Sequence, residues 1–111
     1  MPYIKPIPKR LLCHSIEYQE YIGQGNFGES WGDKETIDFV RFEPKISIRT
    51  DANGQEIQTT GLIFLDAVNT PNFKPFKVKS KVTFNGTEMR VHACKPFYAF
   101  DSIHHYEVEV V

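Results

Sequence analysis

The sequence predicts an all-β fold: a small single-domain β-barrel, SH3/OB-like or sandwich-like, of six or seven strands with long loops. Three observations predict it. Asn85-Gly86 lies between two runs of strand-forming residues, and Asn53-Gly54 lies between two more. Such pairs mark hairpins because the favoured tight turns need positive φ at their central residues. No segment of ten or more residues carries helical periodicity, and nine Phe, five Tyr and one Trp suit a pleated core.

The 111 residues fit one domain, 1–111. Residues 1–10 hold Pro2, Pro6 and Pro8 among Lys5, Lys9 and Arg10. Proline at this density fixes an extended arm, lying on the barrel or on a neighbour, with Pro6 and Pro8 as candidate inter-subunit contacts. Residues 11–21 alternate, placing Leu12, Ile16 and Tyr18 on one face of a first strand. Residues 22–34, with Gly23, Gly25, Gly28 and Gly32, predict a long surface loop. Its aromatics, Phe27 and Trp31, are expected to fold back on the body and to offer further inter-subunit contacts.

Residues 34–43 alternate until Pro44 interrupts them. Residues 45–50 resume toward a turn at Asp51-Ala52-Asn53-Gly54, and residues 55–66 return as the partner strand. Residues 68–75 carry turn chemistry, and residues 78–96 form the second hairpin around Asn85-Gly86. Pro96 lacks the N–H of a ladder, so Lys95-Pro96 predicts a strand exit. Residues 97–102 connect to a closing strand over residues 103–111.

Net charge is −1, from 13 basic and 14 acidic residues. A protein that grips nucleic acid by its phosphates needs a basic excess on one face. Two cysteines, Cys13 and Cys94, are too few for a disulfide framework. Neither a secretory signal nor a membrane-length apolar stretch is visible, so the chain is expected to be soluble and cytoplasmic when made.

Gly23-Gln-Gly-Asn-Phe-Gly28 matches G-x-G-x-x-G, the pattern of glycine-rich phosphate loops. Neither a kinase's remaining parts nor a βαβ unit accompanies it, so a loop explains it better. His92 and Cys94, two apart on a predicted strand, share a face; with Cys13, His14, His104 and His105 they are the pool of metal ligands. Paired zinc spacings are missing, and His104 and His105 are expected on opposite strand faces, so no metal site or cofactor is predicted. A Cys–His nucleophile would use Cys13 or Cys94, both expected inside strands where a buried thiol is inert. No catalytic site is predicted. Lys77, Lys79 and Lys81 are expected on one strand face, either solvated or in contact with an acidic partner.

Taken in order, Pro6-Ile-Pro-Lys-Arg-Leu-Leu12, Val40-Arg-Phe-Glu-Pro44, the Asn53-Gly54 hairpin, Val82-Thr-Phe-Asn-Gly86 and His104-His-Tyr-Glu-Val108 resemble the small minor capsid proteins of tailed bacteriophages and prophages of Gram-positive bacteria. The resemblance spans nearly the whole chain. It implies a head-completion protein of the neck, a stopper that forms a ring of copies of itself below the portal and adaptor. The ring would close the channel on packaged double-stranded DNA without reading sequence, and would dock a tail protein. The segment matching the channel loop of such stoppers runs from Ile46 to Thr59, with Asp51, Ala52, Asn53 and Gly54 at a small polar tip able to move. Ile46, Ile48 and Ile57 flank it and could pair between subunits. The alternatives are another neck component (adaptor or tail terminator) and a small nucleic-acid-binding barrel.

Overall fold

A computed structural model describes residues 4–111, so Pro2 and its neighbours lie outside the described residues. A short 3-10 turn, Lys9–Leu11, precedes eight strands: β1 His14–Gln19, β2 Tyr21–Gly25, β3 Gly28–Trp31, β4 Glu35–Thr50, β5 Glu56–Asp66, β6 Lys81–Phe84, β7 Thr87–Ala99 and β8 Ser102–Val110. Six of them close a barrel in the order β1-β4-β5-β8-β7-β6, with β6 returning to β1, and β2-β3 form a separate two-stranded sheet. Every pairing is antiparallel.

The inward row of each strand supplies the core. Ile16 and Tyr18 come from β1, Ile37 and Val40 from β4, Ile63 and Leu65 from β5, Val82 from β6, Met89 and Val91 from β7, and Tyr106, Val108 and Val110 from β8. Each such side chain contributes about 1.5–3 kcal/mol by leaving water. Ile37 and Val40 are three apart yet both point inward, because Phe39 takes φ 54 and the register against β1 slips there. Phe76 closes one side by stacking on Tyr18 at 4.0 Å between centroids. The Tyr18 hydroxyl accepts the Lys77 N–H at 3.0 Å and bonds the Ser80 hydroxyl at 3.2 Å, so its polar end is satisfied inside the barrel.

The Asn85-Gly86 turn is as predicted: φ is 49 and 79 at the two central residues, joining β6 to β7. Several boundaries differ from the sequence expectation. Residues 11–21 are not one strand; the 3-10 turn occupies the start and Tyr21 already opens β2. The expected glycine-rich loop is instead the β2-β3 hairpin, where Gly23 and Gly28 at φ 138 and 93 make the bends. Pro44 does not end a strand: β4 runs through it, and the register shift between Pro44 and Ser47 absorbs the missing donor as a bulge. Pro96 likewise sits inside β7, opposite Tyr106. Beyond Arg90, β7 has only β8 as a ladder partner, and an edge tolerates an absent N–H. Of the three lysines expected on one strand face, only Lys81 is in a strand; Lys79 sits in a turn at φ 74.

Candidate assembly site

β4 and β5 outrun the barrel. β1 covers β4 only as far as Val40, and β8 joins β5 only from Gly61 onward. Residues 45–60 therefore form a two-stranded ribbon that leaves the barrel wall, and the molecule is drawn out to 51 × 30 × 25 Å. The ribbon departs at the Pro44–Ser47 bulge. There the buried Thr59 hydroxyl accepts the Ser47 N–H at 3.1 Å and lies 3.2 Å from the Lys45 carbonyl, which replaces the ladder bonds the bulge removes. Just inside the root, the absent side chain of Gly61 makes room for Phe42: a Cβ there would lie 2.5 Å from the Phe42 ring.

The two ribbon faces differ. Ile46 and Ile48 are 73% and 66% exposed on the outer face, with Gln58 opposite Ile48. Arg49 and its partner Ile57 lie on the other face, so Ile57 does not join the Ile46–Ile48 pair. Arg49 reaches the barrel, where Nε lies 3.1 Å and Nη2 3.2 Å from the two carboxylate oxygens of Glu109 on β8. Lys95 Nζ donates to the same carboxylate at 2.9 Å. Burial would push the Glu109 carboxyl up, but the hydrogen bonds from Arg49 and Lys95 outweigh it and hold the group below the usual carboxylate range.

At the tip, Asp51 organises a closed turn. Its Oδ1 accepts the N–H groups of Asn53 and Gln55, both at 2.9 Å; its own N–H donates to the Gln55 carbonyl at 2.8 Å, and its carbonyl accepts the Gly54 N–H at 3.0 Å. Gly54 takes φ 80, which a side chain would disfavour. Ala52 and Asn53 are left exposed at the apex.

The other expected contact residues divide. The arm lies on its own barrel: the Ile7 N–H donates to Asp66 at 2.9 Å, and Asn69 Nδ2 donates to the Ile7 carbonyl at 2.8 Å. Pro8 supplies the carbonyl that starts the 3-10 turn, and Pro6 joins Ile4, Val68, Phe100 and Ile103 around an apolar cleft. Trp31 is folded back, as expected. Its ring sits 4.0 Å from Lys81 Nζ and 5.1 Å from the Arg90 guanidinium, and its Nε1 donates to the Lys79 carbonyl at 2.9 Å. Phe27 does not fold back; it stands fully exposed at the β2-β3 tip.

The titratable residues are rearranged more than the sequence suggests. A bulge at His92 separates it from Cys94: the register slips between Val91 and Ala93, Cys94 packs against the core and His92 lines an outer cleft. Burial pushes the Cys94 thiol up, against the opposing effect of the Phe76 N–H it accepts. Cys13 is exposed ahead of β1, with Sγ 3.7 Å from His14 Nε2. His14 Nδ1 accepts the Phe42 N–H, so the nitrogen facing the sulfur is the protonated one and cannot serve as its base. His104 and His105 meet rather than diverge, their Nδ1 atoms 2.9 Å apart. No group of three or more His, Cys, Asp or Glu among the described residues is placed to hold a metal ion, and no helix there is long and apolar enough to cross a membrane.

Sequence reasoning missed the Glu109 ion cluster and the apolar cleft. Glu109 sits in an ordinary alternating strand, and its two cationic partners lie 60 and 14 residues away.

The fold is thus a closed antiparallel barrel that carries a projecting ribbon with Ile46 and Ile48 exposed, an exposed Phe27 and a docked N-terminal arm. A family model described as minor capsid protein matches residues 8–110, and the chain belongs to that family. No curated protein matches the chain. It is accordingly a phage structural protein, located in the virion and in contact with other virion components.

Proposed function

We propose that this protein is the head-completion component of the neck: a stopper that forms a ring of its own copies below the portal and adaptor, closes the channel on packaged double-stranded DNA, and presents the surface on which a tail protein docks. The observation that carries the reading is the β4-β5 ribbon. It projects from a rigid barrel, exposes Ile46 and Ile48 on one face, and ends in a small polar tip at Asp51, Ala52, Asn53 and Gly54. A ribbon with an apolar face and open strand edges suits pairing between neighbours in a ring. Its fastening through Arg49 and Glu109 gives the gate a fixed root. The near-neutral charge suits a plug that holds DNA without gripping it.

The nucleic-acid-binding alternative loses support from the placement of the basic side chains. Lys81 and Arg90 are engaged by Trp31 and Glu88, and Lys95 by Glu109. The test replaces residues 51–55 with a minimal turn and counts DNA-filled heads and infectious particles. Heads that package DNA but leak it, or fail to join tails, support the gate. Unchanged packaging, retention and infectivity would remove it and favour an adaptor or tail-side role.

A further inference from the structure

A continuous line of hydrogen bonds fastens the N-terminal arm to β8. His104 Nε2 lies 2.6 Å from the Lys5 carbonyl, His104 Nδ1 lies 2.9 Å from His105 Nδ1, and His105 Nε2 lies 2.9 Å from a Glu107 carboxylate oxygen. Phe97 stacks flat on His105, at 4.9 Å and 4°, and holds that ring in place.

The protons in this line can be counted. A carbonyl oxygen only accepts, so His104 Nε2 carries hydrogen; an ionised carboxylate only accepts, so His105 Nε2 carries hydrogen too. One further hydrogen must lie between the two Nδ1 atoms. Three ring protons on two imidazoles make one imidazole neutral and one cationic. With two protons, one of the three contacts sets acceptor against acceptor; with four, the Nδ1 atoms oppose N–H to N–H. Only the singly charged pair satisfies all three contacts.

We propose that His104 and His105 are a shared-proton latch that holds the N-terminal arm against the barrel, closing at intermediate pH and loosening on either side. The latch controls a specific feature. Ile4 and Pro6 of the arm, with Val68, Phe100, Ile103 and His104, line an apolar cleft of about 560 Å³. Releasing Lys5 opens one wall of it. The remaining charged groups around the pair do not replace the proton. On β5, Asp66 is filled by the Ile7, Val68 and Asn69 N–H groups. On β7, Lys95 is held by Glu109, and on β4, Arg41 is held by Glu43. Lys5 and Asp101 are exposed, Asp101 on the cleft lining.

The experiment uses the full chain with ¹⁵N-labelled histidine, following ring-nitrogen shifts and the protection of the Ile7 N–H from roughly pH 5 to pH 8, the span over which imidazoles change charge. Ile7 protection is expected to pass through a maximum and then to fall by up to tenfold per pH unit as the single proton leaves. E107Q separates this from simple pH sensitivity. The introduced amide can donate to Nε2 of a neutral His105, so all three contacts form with two ring protons and the alkaline loosening disappears. H105F keeps an aromatic ring on Phe97 but cuts the line, giving low protection that is flat with pH. Wild-type protection independent of pH, alkaline loosening retained in E107Q, or a maximum retained in H105F would each overturn the latch.

Discussion

Arg49 and Glu109 stand 60 residues apart in sequence and face each other across the root of the ribbon, with Arg49 Nε 3.1 Å and 3.2 Å from the two carboxylate oxygens of Glu109, a residue only 6% exposed. This contact decides whether the ribbon is an extension of the barrel or a tethered flap. Glu109 is anchored in a strand paired on both sides, with Leu62 and Ala93, so it is the fixed member. Removing Arg49 leaves the carboxylate with Lys95 alone. R49A is expected to cost about 1–2 kcal/mol, the range for a lost charge-assisted hydrogen bond at a half-exposed partner. Hydrogen exchange localises the effect: Ile48 and Gln58 should lose protection while Val108 does not.

The same carboxylate makes the ribbon acid-sensitive. Its folded pKa is depressed, so its contribution is complete above the unfolded carboxylate value of roughly 4.3 and drains away as pH falls through the lower folded value. Tm should therefore drop more steeply below about pH 4 in the wild type than in E109Q, which starts lower at neutral pH and has no such proton to gain. Parallel acid limbs for the two proteins would show that the Arg49–Glu109–Lys95 cluster is energetically silent.

Gly61 carries a different kind of constraint. A Cβ at this position would lie 2.5 Å and 2.7 Å from Phe42 ring atoms and 3.1 Å from the Glu43 carbonyl. Phe42 has little freedom to retreat, because its ring stacks on Phe84 at 4.6 Å. G61A is expected to destabilise by about 1–3 kcal/mol through overpacking. F42L combined with G61A should cost less than the sum of the two single changes, since both act on one contact. Chemical denaturation of the four proteins completes the cycle.

What the sequence could disclose followed from how local each feature is. Turn chemistry at Asn53-Gly54 and Asn85-Gly86 and the alternation of Ile16 and Tyr18 are nearest-neighbour properties, and they located the hairpins and the inward row of the first strand. Pro44 and Pro96 misled because a proline's effect depends on whether its strand has a partner on that side, which is a property of the closed sheet. The glycine-rich run looked like a loop because its strand residues are held from far along the chain: Tyr21 by Lys79 in the turn before β6, and Trp31 by Lys81 on β6 and Arg90 on β7. Of the expected site, Ile46 and Ile48 share the exposed face, whereas Ile57 falls opposite because Arg49 is its cross-strand partner.

Trp31 is the sole tryptophan, so its fluorescence reports the docking of the β2-β3 hairpin directly. Lys81 and Arg90 hold the ring, and both also engage Glu88. Replacing both cations by alanine is expected to shift Trp31 emission to longer wavelength as the ring meets water. The barrel should melt within a few degrees of the wild type, because no core residue is touched. An unchanged spectrum would mean that the Nε1 bond to the Lys79 carbonyl suffices to dock the hairpin.

Phe27 separates folding from assembly. It stands fully exposed at the end of a hairpin whose base is fixed by Trp31, and it contributes nothing to the barrel. A large aromatic held in water on a rigid mount is the kind of group that anchors an interface. F27S is therefore expected to leave Tm unchanged in the isolated chain while reducing the yield of infectious particles about tenfold or more, the effect of losing one interfacial anchor of about 1.4 kcal/mol or above. Exposed Ile22 on the same small sheet gives the control, since I22S alters apolar surface away from the tip. Infectivity lost equally in both variants would mark a general solubility effect, and infectivity retained in F27S would exclude the tip as a contact in the virion.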